Sequence, residues 1–103
     1  MFENVNRYKF DWDKDKNKAN RQKHGVTFQE AEGVFYDAEA VMADDEKHSQ
    51  EEDRFLIVGK SRKSRLLLAC FCMRFGDTVR IISARKASEA EIKWYEGGVD
   101  YEG

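Results

Sequence analysis

The 103-residue sequence has no proline, only two cysteines and only two histidines. No apolar run approaches the roughly 20 residues of a membrane-spanning helix, and the first ten residues lack the apolar core of a secretion signal. We therefore expect a cytoplasmic protein without membrane contact. Cys70 and Cys72 are too close along one strand to pair readily, and no Cys/His spacing suggests zinc. We expect two reduced core thiols and no metal or other cofactor.

Charge is distributed unevenly along the chain, although the net charge is only −2. Residues 27–53 carry ten acidic residues and one basic residue, whereas residues 54–88 carry nine basic residues and one acidic residue. Such segregation favours surfaces of opposite sign, of which the positive one can bind a polyanion. The alternative is that the two blocks pair across the fold and cancel.

The length predicts one domain over residues 1–103, with a frayed tail from about residue 97. Tyr8–Trp12 alternates apolar and charged residues, as a short strand or extended segment does. Asp13 can cap a helix that runs to His24 and stops at Gly25. This helix is polar nearly all round, so Ala19 is its main candidate for packing.

Residues 27–91 carry the patterns of two capped helices with a sheet between them. Thr27 with Glu30, and Ser88 with Glu91, match the capping-box spacing that begins a helix. A first strand is expected within Ala38–Ala43, followed by a charged loop over residues 44–53, and three more strands are expected at Phe55–Val58, Leu66–Cys72 and Val79–Ile82. The predicted fold class is α+β: two N-terminal helices, a four-stranded antiparallel sheet and a C-terminal helix.

Three ordered segments resemble the BrnT toxins of type II toxin–antitoxin systems. They are KHGV-x-F-x-E-A from Lys23 to Ala31, the E-x-R-F segment around Arg54, and RIISARK from Arg80 to Lys86. The resemblance extends from about Phe10 to Glu96. One departure is Lys14, which stands where the family usually has proline at the start of the first helix.

The resemblance implies a RelE-like fold and an endoribonuclease that cleaves RNA and so inhibits translation. It also implies neutralisation by a BrnA-like antitoxin, through which alone the chain would reach operator DNA. The residues themselves leave two alternatives open. One is an RNA-binding or regulatory module without catalysis, and the other is a scaffold whose charge blocks pair internally.

RNA cleavage without a metal needs a base for the 2′-hydroxyl, an acid for the leaving oxygen, and cations beside the crowded phosphate. We predict His24 and Lys23 as catalytic residues near a group of arginines. The alternative for His24 is a helix C-terminal cap, where the helix dipole favours a cation. His48 lies in the acidic loop and is interpreted as loop structure or a partner contact.

Arg54, Arg80 and Arg85 are predicted to complete the catalytic site, while Arg65 and Tyr95 are predicted to bind substrate. Strand alternation puts Arg80 and Arg85 on opposite faces unless the strand is bulged or ends before Arg85. The alternatives are that each arginine is a solvated strand end and that Tyr95 is a core residue.

The antitoxin is expected to meet the basic surface or the site. Acidic residues 44–53 are expected to meet a basic partner or a second copy of the chain, which would make a homodimer.

Overall fold

A computed structural model describes residues 4–49 and 52–97. These residues form a five-stranded sheet, three α-helices and three short 3₁₀ turns. In chain order the elements are β1 (Lys9–Asp11), α1 (Lys14–His24), α2 (Phe28–Glu32), β2 (Val41–Asp44), β3 (Arg54–Lys60), β4 (Leu66–Arg74), β5 (Thr78–Lys86) and α3 (Glu89–Tyr95).

The sheet has the strand order β1-β5-β4-β3-β2 and is mixed. β2 to β5 form the predicted antiparallel meander. The prediction of four antiparallel strands was wrong in one respect, because β1 adds a fifth strand that pairs in parallel with β5, Phe10 opposite Val79. A parallel pair needs a long crossover rather than a tight turn, and no local pattern around Tyr8–Trp12 identifies so distant a partner.

The helices α1 and α2 cover one face of the sheet, which we call the helical face. Phe28 and Phe35 are buried there against the sheet residues Ile57, Ala69 and Phe71. Alternate strand residues point to the other side, which we call the open face. No helix in the described part of the chain is long and apolar enough to span a membrane.

Helix α1 begins and ends as predicted but is anchored by a different residue. Asp13 accepts hydrogen bonds from the first-turn amides, and Gly25 has the left-handed φ of 69° that ends the helix. The expected packing residue Ala19 is exposed. The buried residue is Asn20, whose amide nitrogen donates to the carbonyls of Val26 and Ala84 at 2.9 and 2.8 Å. Hydrogen bonds to backbone, rather than apolar contacts, therefore attach this polar helix.

Helix α2 has only half of its predicted capping box. Thr27 Oγ1 accepts from the Glu30 amide at 3.1 Å, but the Glu30 carboxylate turns away toward Ser61 and Arg65. The helix is also short, and continues as a 3₁₀ turn over Gly33–Tyr36. The predicted capping box of Ser88 and Glu91 is complete at the start of α3.

Strand β2 starts later than predicted. Asp37 stabilises a turn before it, since its carboxylate accepts from the Glu39 amide and its carbonyl accepts from the Ala40 amide. The strand therefore occupies Val41–Asp44 rather than Ala38–Ala43. The frayed tail was predicted from about residue 97, and residues 98–103 lie outside the described residues.

Candidate active site

A groove of about 790 Å³ opens on the open face of the sheet. Its floor is formed by β3, β4 and β5, and one wall is the loop that follows β2. The lining residues are Ala43, Asp44, Asp45, Glu46, Lys47, His48, Arg54, Leu56, Leu68, Cys70, Ile82, Ser83 and Arg85. The volume falls in the range of about 300–1,000 Å³ that is usual for ligand sites.

A β-bulge puts the three predicted catalytic arginines on the same face. Phe71 pairs with Ile81, but Cys70 pairs with Ser83, so Ile82 is an extra residue in β5. This extra residue reverses the alternation, and Arg80 and Arg85 therefore both point to the open face. Arg54 joins them, because it and Arg80 both pair with Cys72 from opposite sides. The bulge that the sequence argument required is present.

His48 is held in the groove wall by Asp45. The His48 Nδ1 atom lies 3.1 and 3.0 Å from the two carboxylate oxygens of Asp45. Asp45 is 8% exposed, whereas the His48 side chain is 64% exposed. Because a carboxylate can only accept, Nδ1 is the donor in this contact, and Nε2 is the ring nitrogen that points away from Asp45. The pair therefore has the arrangement of an oriented acid–base group.

The loop that carries His48 is fastened to β3 at Arg54. The Ser49 hydroxyl donates to the Asp45 carbonyl at 2.7 Å and accepts from the Arg54 amide at 2.9 Å. The Asp45 amide in turn donates to the Arg54 carbonyl at 2.8 Å. These bonds hold the backbone of Asp45 and Arg54 together, so the loop that carries His48 lies beside the start of β3.

Of the three arginines, Arg54 has the weakest contact with a carboxylate. Its Nε lies 3.8 Å from Glu52, which is beyond hydrogen-bond distance. This buried Nε has no hydrogen-bond partner within residues 4–49 and 52–97. Arg54 lines the groove, and the planar fork of a guanidinium suits two oxygens of a phosphate.

Arg85 has a firm protein partner. Its two terminal nitrogens donate to the Glu91 carboxylate at 2.8 and 2.9 Å, and Glu91 is 2% exposed. Glu91 also accepts from the Ser88 amide as part of the cap of α3. α3 therefore lies over the end of the open face and holds Arg85 in a fixed position, with 40% of its side chain still exposed to the groove.

Arg80 lies beside the groove rather than in its lining. Its Nη1 donates to Asp11 on the neighbouring strand β1 at 2.5 Å. The Asp11 side chain is 53% exposed, and ion pairs this open contribute little to stability. The Arg80–Asp11 pair is therefore a weak constraint on the Arg80 side chain.

The structure does not bring His24 or Lys23 to the arginines. Both end α1, which packs on the helical face, and neither lines the groove. The histidine in the groove lining is His48, which the sequence analysis interpreted as loop structure or a partner contact. The available signal was its place in HSQEEDRF, inside the stretch that carries the family resemblance.

Arg65 and Tyr95 also have partners away from the groove. Arg65 donates to both oxygens of Glu30 and to the Gly25 carbonyl at 3.1 Å. The hydrogen bonds from Arg65, with a further one from Ser61, hold the pKa of Glu30 below its usual value although burial opposes them.

The Tyr95 hydroxyl donates to Asp37 at 2.7 Å. Burial, together with this carboxylate, raises the pKa of Tyr95 to about 12. The hydroxyl is therefore a hydrogen-bond donor that stays neutral at physiological pH, and it links α3 to the turn before β2.

The sequence left open that the acidic and basic blocks pair across the fold, and the structure contains such pairs. Arg54, Arg65, Arg74, Arg80 and Arg85 each lie within 4 Å of a carboxylate. The pairs differ in burial, however, and the groove lining includes Asp44, Asp45 and Glu46 as well as Arg54 and Arg85. The site is therefore a mixed-charge groove rather than a uniformly positive surface.

Cys70 forms part of the groove floor, and its thiol is a poor nucleophile. Its thiol donates weakly to Asp45 at 3.6 Å. Burial, with the Asp45 charge beside it, raises the pKa of this thiol to about 12, so the nucleophilic thiolate is not populated near neutral pH. Cys70 and Cys72 are both free and buried, as predicted. Within the described ranges, no three His, Cys, Asp or Glu side chains are grouped to hold a metal ion.

Comparison with known structures identifies a similar fold. The crystal structure of the Brucella abortus ribonuclease toxin BrnT aligns with a TM-score of 0.61 and 24% sequence identity. The alignment covers 80% of this chain and 99% of that one. At this identity the likeness shows the fold alone. No curated protein sequence matches the chain significantly.

A family match gives the class of protein. Residues 12–91 match the family described as "Ribonuclease toxin, BrnT, of type II toxin-antitoxin system". The fold and this match place the chain among the ribonuclease toxins of type II systems, which act on RNA and are paired with a protein antitoxin. Within that class, the chain belongs to the BrnT family.

Proposed function

We propose that the chain cleaves RNA in the groove on the open face, with His48 as the proton-transfer group and Arg54 and Arg85 beside the phosphate. The observation that carries this proposal is the Asp45–His48 pair, which lies in a loop that is hydrogen-bonded to the backbone of Arg54 at the start of β3. Arg80 extends the cationic row toward β1. The groove thus combines the acid–base group and the cations that the reaction needs.

The chemistry follows from what each group can do. His48 Nε2 takes the proton from a ribose 2′-hydroxyl, and the 2′-oxygen forms a bond to the adjacent phosphorus. The bond from phosphorus to the 5′-oxygen breaks, and that oxygen takes a proton from water in the open groove. The arginines stabilise the additional negative charge on the crowded phosphate. The products are a 2′,3′-cyclic phosphate and a 5′-hydroxyl.

No metal ion is needed for these steps, because the imidazole supplies proton transfer and the guanidiniums supply positive charge. We therefore propose metal-independent cleavage. The proposed substrate is messenger RNA in the cytoplasm, because cutting it inhibits translation.

The roles of the remaining predicted residues follow from their contacts. We propose that Arg65 acts in stability through Glu30, and that Tyr95 acts in stability through Asp37. Lys23 and His24 are proposed to contribute charge at the C-terminal end of α1, where the helix dipole favours cations.

A BrnA-like antitoxin is the proposed protein partner, and the groove is where we place its inhibitory contact. The acidic wall formed by Asp44 and Glu46 offers a basic partner segment a complementary surface beside the arginines. Operator DNA is then reached only through the antitoxin. A homodimer through the same acidic wall is the competing use of that surface. Cross-linking to the purified antitoxin, and measurement of the mass of the free toxin, distinguish them.

Cleavage of a synthetic RNA in EDTA tests the proposal. The expected products carry 2′,3′-cyclic phosphate and 5′-hydroxyl ends, and a 2′-O-methyl group at the cut site is expected to block cleavage without blocking binding. RNA that is bound but never cut would instead identify a non-catalytic RNA-binding module. Cleavage that EDTA abolishes and added Mg²⁺ restores would refute the metal-independent step.

A further inference from the structure

The most exposed large apolar side chain among the described residues is Phe75, in the turn between β4 and β5. It is 93% exposed, against 43% for Tyr36 and 40% for Met42. Tyr36 is engaged by its neighbours, since it stacks on Phe10 and lies under the Arg62 guanidinium at 5.5 Å. At 93% exposure Phe75 has almost no contact with the folded chain. Its ring therefore contributes little to the core.

The backbone at Phe75 is also unfavourable for phenylalanine. Phe75 and Gly76 have φ values of 58° and 76°, and the Asp77 amide donates to the Arg74 carbonyl at 3.3 Å. Positive φ at both central residues is the pattern of a type I′ turn, which favours Asn-Gly. A bulky aromatic residue in this conformation is an outlier. The chain thus holds an exposed aromatic ring at a position where asparagine is better suited to folding.

The position of Phe75 relates it to the proposed site. In register, Cys72 lies between Arg54 and Arg80, and Phe75 follows three residues later along β4. Three strand residues span about 10 Å, which is the length of about three stacked nucleotides of one strand. Arg74, the residue before Phe75, adds a further cation at this end of the sheet. An RNA strand that leaves the arginines along β4 meets the turn.

We propose that Phe75 stacks on a base of the bound RNA a few nucleotides from the cut phosphate. This inference rests on the proposed RNA-cleaving groove. Every nucleobase presents a π-face, and an exposed aromatic ring beside arginines is a recurring platform for single-stranded nucleic acid. The stacked base adds affinity and fixes the register of the strand, and the chemistry at the phosphate stays with the groove residues.

Fluorescence of 2-aminopurine tests this contact directly, because stacking quenches it. The probe is placed at successive positions on either side of a 2′-O-methyl-blocked cut site. We expect quenching at one or two adjacent positions with the wild type. With Phe75→Asn the quenching is lost and RNA binding weakens about 10-fold, within the range known for one stacked base. Phe75→Trp retains both.

Further measurements separate stacking from folding. Phe75→Asn is expected to raise the melting temperature, because Asn-Gly suits the turn. In cleavage assays it raises KM and leaves kcat within a few-fold. Met42→Ala, which removes another exposed apolar side chain, is the control and changes neither quenching nor KM.

The outcomes also distinguish this inference from the function on which it rests. If wild-type protein cuts RNA but Phe75→Asn leaves quenching and KM unchanged, the stacking contact is refuted and the groove stands. If Phe75→Asn weakens only antitoxin binding, the ring contacts the protein partner and the proposal fails. A wild type that never cuts RNA overturns the proposed function, while loss of quenching on Phe75→Asn would still identify an RNA contact.

Discussion

Two arginine–glutamate pairs lie at different parts of the sheet, and the proposed function gives them different roles. Arg65 with Glu30 lies beside α2, where the guanidinium is used by the carboxylate and by the Gly25 carbonyl. Arg85 with Glu91 lies on the open face, where the guanidinium is fixed by the carboxylate and still lines the groove. Both carboxylates are buried, at 7% and 2% exposure. An arginine with a buried carboxylate partner can therefore still line a groove.

The open face differs from the helical face in the residues that lie near Arg85. The bulge at Ile82 aligns Arg85 with Arg80 and Arg54, and the loop after β2 adds the Asp45–His48 pair. The helical face has its cations on the exposed surface of α1, where no described acid–base pair of this kind is fixed beside them. The comparison predicts that changes on the open face reduce cleavage, whereas changes around Glu30 reduce stability.

The largest expected effect is on the open face, at Arg54. Arg54→Ala should lower kcat by about 100- to 1,000-fold, because it removes charge stabilisation from the transition state. Arg54→Lys should recover only part of the rate, since an ammonium cannot match two phosphate oxygens at once. Rates are measured with one RNA under single-turnover conditions, and thermal unfolding checks that the variants are folded. An Arg54→Ala protein that is folded and fully active would contradict the claim that the open face carries the cleavage site.

Glu30→Ala should give the opposite result. Removing the carboxylate leaves Arg65 and Ser61 without their partner, which should lower the free energy of unfolding by about 3 kcal/mol. The cleavage rate per folded molecule should not change. Urea unfolding measures the first quantity, and cleavage at a temperature where the variant is folded measures the second. A large loss of kcat in the folded variant would contradict the separation of the two regions.

Asp45→Asn sharpens the account of the open face. An amide cannot hold the His48 Nδ1 hydrogen as a carboxylate does, so kcat should fall by about 10- to 100-fold, the usual effect of losing such a supporting group. Asp44→Asn is the matched control, because Asp44 lines the same groove while His48 Nδ1 is paired with Asp45. Equal losses in the two variants would mean that charge in the wall, rather than orientation of His48, determines the rate.

The smallest expected effect is the pH dependence of stability from Glu30. Its pKa is held below the usual value by Arg65 and Ser61, so the folded state binds this proton less readily than the unfolded chain does. The resulting stabilisation is present above pH 4.5, the ordinary value, and is lost as the pH falls through the lower pKa of the folded state. Urea unfolding across this acid range should show a flatter dependence for Glu30→Gln than for the wild type.

Local patterns in the sequence predicted most of the helices and strands. The cap at Asp13, the stop at Gly25 and the capping box at Ser88 were all confirmed, because each depends on residues within one turn of one another. The parallel pairing of β1 with β5 joins segments almost 70 residues apart, and nothing local specifies it. Asn20 was missed for the same reason, since its partner Ala84 is distant in sequence.

The proposed site and the sequence prediction share Arg54 and Arg85, while Arg80 lies beside the groove. Arg54, Arg80 and Arg85 were named from the sequence, and the bulge that aligns them was stated as a condition rather than predicted. The sequence prediction placed the catalytic histidine at the end of α1, because His24 follows a run of cations, while His48 stands among acidic residues. The proposed site uses His48 instead. Only the tertiary contact with Asp45 and the fastening through Ser49 place His48 beside Arg54.

The most direct test compares the two histidines in one assay. His48→Gln and His24→Gln are purified, shown to be folded by thermal unfolding, and incubated with the same RNA in EDTA under single-turnover conditions. We expect His48→Gln to lose about 100-fold or more of the cleavage rate, as removal of a general base does, while His24→Gln stays near the wild type. A fully active His48→Gln beside an inactive His24→Gln would contradict the assignment of the groove as the cleavage site.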